Sequence, residues 1–344
     1  MQSQAINHLE KSDNAMNMMA LPAYLASSGG QFDAVMPAGG FVRRQAAVRV
    51  VDLFGERMNI DPVWILRMAR FAARFADFSI APQYLQLMQE MVRAGEVDHL
   101  AGECVWEELA KGLMEVRPAC MFGVLRDCGA LERLLPELDR LWGVPQRADY
   151  HPEIDTGVHT MLTLDMAQRL HASLPVRFAC LVHDLGKGDT PADVLPRHTG
   201  HEERSVRLLD GVCQRLPVPA ACAELAQVVA REHGNIHRSP TFTAAAIVGL
   251  LERCDALRQP DRFVDILLAC ECDARGRLGM QDTHYPAAKI LMKALHHAKS
   301  IAAHVIAQLA QSTGGYCAIS MMDRRVNLAR IVAVQSGFNS HHHF

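Results

Sequence analysis

The chain has 344 residues, 49% apolar and 21% charged, with 16 Pro and 23 Gly. This excludes collagenous, low-complexity and wholly disordered chains and suffices for two or three compact units at about 150 residues each. Its 35 Lys+Arg against 38 Asp+Glu leave a formal charge of −3, so any nucleic-acid face has to be local.

Elements are predicted in chain order. An apolar patch at 16–25, the Ser27-Ser28-Gly29-Gly30 turn, a Gly39-Gly40 turn and a strand candidate at 48–54 give residues 1–58 a short α/β character. From Pro62 onward, Ile65, Leu66, Met68, Ala69, Phe71, Ala72 and Phe75 recur at helical separation. On that helix Arg67, Arg70 and Arg74 share one edge, either as a solvated stripe or as a row of guanidinium groups for an RNA backbone. Further helices are predicted at 83–94, 104–113, 121–128, 131–135, 161–170, 176–182, 205–216, 222–231, 244–251, 263–270 and 290–309, with Pro286 as an interruption. Gly314-Gly315 precedes a final helix at 324–334, and His341-His342-His343 reads as a mobile tail rather than a metal site. The fold class is therefore predominantly α-helical with a residual α/β N-terminal region.

Ten cysteines without a C-x-x-C pair fit a reducing cytoplasm, and Cys270 and Cys272 read as ordinary thiols. No run reaches the roughly 18 apolar residues of a membrane span, and Met1 leads into a polar stretch rather than a signal core. A cytoplasmic protein without membrane contact is expected.

The sharpest chemical string is His183-Asp184-Leu185-Gly186-Lys187. Adjacent helical residues diverge, so a turn at Gly186 is needed to converge the imidazole and the carboxylate. His159 upstream and Asp273 downstream complete a candidate set of two imidazoles and two carboxylates for a divalent ion, against the alternative of separate caps and core histidines. Such an ion would activate water toward phosphorus, with Asp184 and Lys187 as the catalytic pair and Lys187 facing phosphate. Magnesium, manganese, nickel and cobalt are not distinguished by these ligand types. His201 and His233 are candidates for a second metal position or a phosphate contact, with His198 and His237 as further donors. Glu153 and Asp155 read either as tuning carboxylates or as the opening of a helix.

The set His159, His183-Asp184 and Asp273 resembles the metal-dependent HD phosphohydrolase superfamily. The strings Asp61-Pro62, Ile65-Leu66-Arg67, Arg70-Phe71-Ala72-Ala73-Arg74-Phe75, Leu125-Arg126-Asp127-Cys128-Gly129-Ala130 and His151-Pro152-Glu153-Ile154-Asp155-Thr156-Gly157 resemble the bacterial multifunctional CCA-adding tRNA nucleotidyltransferases over about residues 45 to 290. The resemblance implies a divergent or residual head at 1–58, a helical neck and body at 59–148 that receives tRNA, an HD domain at 149–290 and a helical tail at 291–344. It also implies phosphatase and 2′,3′-cyclic phosphodiesterase activity in the HD section, and tRNA or nucleotide contact by Asp61, Arg67, Arg70 and Arg74.

The N-terminal part departs from that family. No Gly-Gly strand-turn with an Asp-x-Asp pair precedes the neck, and Ile60-Asp61-Pro62-Val63-Trp64 lacks the glutamate and arginine of the nucleotide-selecting element. The leading expectation is hydrolysis of phosphomonoesters or cyclic phosphates, with RNA ends and phosphorylated nucleotides as partners. CCA addition from CTP and ATP and a noncatalytic tRNA-binding role are the alternatives. No oligomeric partner is specified.

Overall fold

The computed structural model describes residues 61–75, 80–300, 330–332 and 334, all within one compact unit spanning 42–344. In chain order, α1 is Val63–Arg74, α2 Pro82–Arg93, α3 Gly102–Leu113, α4 Pro118–Asp127, α5 Ala130–Leu134 and α6 Pro136–Asp139. They are followed by α7 Thr156–Arg169, α8 Leu174–Val182, α9 His201–Arg215, α10 Ala220–Arg238, α11 Ala244–Arg253, α12 Pro260–Arg275 and α13 Pro286–Lys299.

The α/β part of the expected fold class is corrected. Among the described residues there is no β-strand, only an isolated bridge between Pro145 and Asp155. The segment around that bridge crosses itself once, with the Gln146 amide donating to the Ile154 carbonyl at 2.7 Å, and no neighbouring strand lets a ladder propagate. The strand candidate at 48–54 and the His341-His342-His343 tail lie outside the described residues.

Three predicted boundaries also move. Pro286 opens α13 instead of interrupting it, because a ring without an amide donor costs nothing in the first turn. The helix expected at 222–231 runs to Arg238 and that expected at 263–270 runs to Arg275, so the polar stretches that looked like exits carry His233, His237 and Asp273 on helical backbone.

The helices share one continuous core that runs from Trp64 to Val334. Its two halves are tied by Arg177 on α8, a buried guanidinium that donates to the Leu113 carbonyl at 2.8 Å and the Ala172 carbonyl at 2.9 Å. Leu113 ends α3, where carbonyls lack intrahelical partners, so the arginine satisfies a helix end while bridging to α8. Beside it Trp106 meets Phe178 edge-on at 5.3 Å between ring centroids.

On α1 the helical periodicity is right but one arginine faces inward. Arg70 is buried, with its Nε 2.8 Å from Glu108 on α3 and Nη1 3.5 Å from Glu115. Removing one partner of a buried pair leaves an uncompensated charge, so Glu108→Ala should cost on the order of 3 kcal/mol. Urea unfolding measures this; a loss below about 1 kcal/mol would mean that Glu115 alone holds Arg70.

Candidate metal centre

The fold gathers donors from five helices. His159 lies one turn into α7, whose first turn is capped by the Asp155 carboxylate accepting from the Val158 amide at 2.9 Å. His183 and Asp184 leave the end of α8 and enter a tight turn at Leu185–Lys187. Gly186 makes that turn possible, since a Cβ there would sit 2.2 Å from the His201 carbonyl oxygen and 2.5 Å from the Ser205 amide nitrogen. The same close approach seats the first turn of α9, and with it His201, against the His183-Asp184 pair. His233 and His237 stand one turn apart on α10, and Asp273 faces them from α12.

His159, His183 and Asp273 offer ligand atoms that all lie within 4.8 Å of one another, and so do Asp184, His201 and His233. Three of the four residues expected at the first position therefore meet, Asp184 joins them through His183, and the two suggested for a second position meet at Asp184. Its Oδ2 lies 3.2 Å from His183 Nε2, and its Oδ1 lies 3.3 Å from His201 Nε2 and 3.5 Å from His233 Nε2. Asp273 Oδ1 lies 2.9 Å from His159 Nε2.

The back side of each ring assigns its tautomer. Nδ1 of His183 donates to the Cys180 carbonyl at 2.9 Å, that of His201 to the His198 carbonyl at 2.8 Å, and that of His233 to the Val229 carbonyl at 3.0 Å. His159 Nδ1 faces the Glu153 carboxylate at 2.8 Å. With Nδ1 protonated, the neutral rings of His183, His201 and His233 each aim an Nε2 lone pair inward. Those lone pairs face carboxylate oxygens, and His201 and His233 oppose each other Nε2 to Nε2 at 3.3 Å. Acceptor against acceptor is repulsive unless cations sit between them. Consistently, His183 Nε2 and Asp184 Oδ1 are buried without a hydrogen-bond partner. The donor set therefore fits divalent ions.

Electrostatics point the same way. Burial opposes ionisation of Asp184, yet His183 and Lys187 hold its carboxyl well below the usual range; burial likewise opposes Asp273, which His237 and His159 hold down. Burial alone would lower the His183 pKa, but Asp184 and Asp273 outweigh it and raise it. His233 is pushed down by burial to about 3, so a proton is not what satisfies its Nε2 near neutrality.

Around the centre, Lys187 bridges Asp184 Oδ2 and Gln146 Oε1, both at 2.6 Å. His237 joins the Tyr285 hydroxyl at 2.9 Å to Asp273 Oδ2 at 2.6 Å, and so orients that carboxylate. Glu153 accepts from His151 Nδ1 at 3.1 Å and faces His159 Nδ1 at 2.8 Å. His198 is a loop clip, joining Thr190 and the Pro145 carbonyl. Gln146, Tyr285 and Arg277 carried no sequence signal; the first two reach the site from loops far from the motif.

Residues 156–267 match the HD domain family, and residues 77–141 match the family described as "Probable RNA and SrmB- binding site of polymerase A". The "Multifunctional CCA protein" of Polaromonas naphthalenivorans (strain CJ2) is 61% identical over 313 residues, 89% of this chain and 73% of that protein. The same-named proteins of Paracidovorax citrulli (strain AAC00-1) and Ralstonia nicotianae (strain ATCC BAA-1114 / GMI1000) are 60% and 55% identical, covering 89% and 95% of this chain and 72% and 74% of their own lengths. The chain belongs to the multifunctional CCA protein family. Its centre is accordingly an HD-type metal-dependent phosphohydrolase site, embedded in a CCA protein rather than free-standing.

The residues expected to touch RNA are not all brought to one surface of this CCA protein. Arg70 is internal, Arg67 is half exposed and 3.7 Å from Glu108, Arg74 lies over the Phe75 ring, and Asp61 accepts from the Val63 amide at the start of α1. Within 77–141, Arg93, Arg126 and Arg133 line a separate shallow cleft. Among the described residues no helix is long and apolar enough to cross a membrane.

Glu153 is the carboxylate that fixes the His159 tautomer, so Glu153→Gln should leave the fold intact and weaken divalent-metal binding by about 10–100-fold. Titration calorimetry with Mn²⁺ checks it, and unchanged affinity would remove Glu153 from the centre.

Proposed function

We propose that this chain is a CCA-adding protein acting at tRNA 3′ ends, in which the HD centre hydrolyses phosphomonoesters or 2′,3′-cyclic phosphates. The wider CCA reading is supported by 61% identity over 89% of the chain, and it outranks a free-standing phosphohydrolase. The observation that carries the hydrolytic part is the convergence of three Nε2 lone pairs on the buried Asp184, beside the buried His159–Asp273 pair.

His159, His183, Asp184 and Asp273 would hold one ion, and Asp184, His201 and His233 would hold a second. The imidazole-rich set favours nickel or cobalt over magnesium. When bound, the ions supply Lewis acidity and lower the pKa of water. The chain's own groups do the rest. Lys187 uses two of its three donors on Asp184 and Gln146, which fixes the ammonium and leaves the third for a phosphate oxygen. Tyr285 and His237 hold Asp273 in one orientation, and Glu153 and the Cys180 carbonyl do the same for His159 and His183. Arg67, Arg74 and Asp61 form the proposed tRNA contact at the start of the helical region; Arg70 supports it from inside.

Two measurements test this. Asp184→Asn should abolish metal-dependent phosphate release from 2′,3′-cyclic AMP while circular dichroism is unchanged and extension of CCA-less tRNA with CTP and ATP persists. Retained release would reject the centre, and absent extension by the wild type would confine the chain to hydrolysis. The double substitution His201→Ala with His233→Ala should reduce bound Mn²⁺ per chain from about two to one; an unchanged ratio would make the second position a phosphate contact.

A further inference from the structure

The arginines packed in and around the HD centre have their donors taken, with one exception. Arg177 donates to backbone carbonyls, Arg204 to the Gly186 and Thr199 carbonyls and to Thr190, and Arg275 to Glu271 and the Gln281 carbonyl. Arg277 has one long contact, Nη2 to Asp273 Oδ1 at 4.0 Å, and its Nε is buried without a partner. A guanidinium has five N–H donors in a planar fork, and leaving them unmet away from water is costly. The fold nonetheless holds the group in place. Gly276, just before it, packs so closely on α7 that a Cβ would lie 2.6 Å from the Thr163 Cα. Just after it, the Leu278 amide donates to Glu153 Oε2 at 3.1 Å, which ties this turn to the loop bearing His151.

The position is informative as well. Lys187 Nζ lies 2.6 Å from Asp184 Oδ2 and Arg277 Nη2 lies 4.0 Å from Asp273 Oδ1. Two cations on different loops thus stand beside the two carboxylates of the centre. Lys187 is committed to Asp184 and Gln146, whereas the Arg277 fork is open.

We propose that Arg277 is a substrate-binding residue of the HD centre, its guanidinium gripping two nonbridging oxygens of the phosphate group of a phosphomonoester or cyclic phosphodiester. The planar fork matches a phosphate bidentately, as a lysine does not. This rests on the phosphohydrolase reading given above, and adds a bidentate phosphate contact to the single donor which that reading leaves on Lys187.

The test uses the full chain loaded with Mn²⁺, inorganic phosphate as the binding probe and 2′,3′-cyclic AMP as substrate. Arg277→Met should weaken phosphate binding in calorimetry, and raise KM, by at least about tenfold, with a smaller change in kcat. Mn²⁺ binding, read by electron paramagnetic resonance, should stay within about twofold. Arg277→Lys should recover part of the affinity, and it carries the test alone if the methionine variant does not fold. Phosphate affinity and KM within about twofold of wild type in Arg277→Met would overturn the proposal while wild-type hydrolysis, lost in Asp184→Asn, keeps the phosphohydrolase reading intact. Loss of Mn²⁺ from Arg277→Met would also overturn it, by showing that the arginine acts on Asp273. A wild type that releases no phosphate with any divalent metal would remove the underlying reading and this proposal with it.

Discussion

The structure turns on a set of hydrogen bonds made behind the metal ligands. Backbone carbonyls of Cys180, His198 and Val229 take up Nδ1 of three histidines, and this choice leaves each Nε2 facing the buried Asp184 carboxylate. Nothing in the protein neutralises that arrangement fully. The lone pairs of His201 and His233 even oppose each other. A polypeptide that buries acceptors against acceptors has placed part of its folding free energy under the control of divalent cations, since metal binding to the native chain is also stabilisation of it.

Such a centre needs backbone that holds still, and the close approaches supply it. Gly186 lets the turn after Asp184 touch α9, Gly157 lets α7 lie against Trp142 where a Cβ would come within 2.4 Å of the ring, and Gly276 presses the exit of α12 onto α7. Arg177 then fastens α8 to the end of α3, so the helical region that precedes the HD section forms part of the support for its ligands. Ile154, with φ at 61°, is a β-branched residue in the left-handed region immediately after Glu153. Backbone strain at that point is tolerated where the surrounding loop fixes a functional carboxylate.

Much of this was readable from the chain alone, for a definite reason. His183-Asp184 is a local string, while His159 and Asp273 fall just outside the helices predicted at 161–170 and 263–270, so residue type suggested the group and left separate caps and core histidines open. The ends of α10 and α12 were not readable, because polar residues that line a metal site look the same as polar residues that leave a helix. Periodicity also misled on α1. Arg67, Arg70 and Arg74 recur at one helical edge, but spacing does not say whether the partner is solvent or a carboxylate, and Glu108 on α3 draws Arg70 inward. Gln146 and Tyr285 are brought in by tertiary contacts, and Arg277, four residues after Asp273, lies on the turn that leaves α12.

The net charge of −3 takes on a different meaning at this site. Three carboxylates, Asp184, Asp273 and Glu153, stand with two cations, Lys187 and Arg277, so with neutral imidazoles the centre is anionic before any metal enters. A phosphate dianion would be repelled there. One divalent ion reverses the sign and a second makes the centre strongly cationic, at short range and behind low-dielectric walls. The chain therefore needs no global positive field to attract phosphate. Metal occupancy switches a site that rejects anions into one that binds them, and phosphate affinity becomes conditional on the same lone pairs that hold the ions.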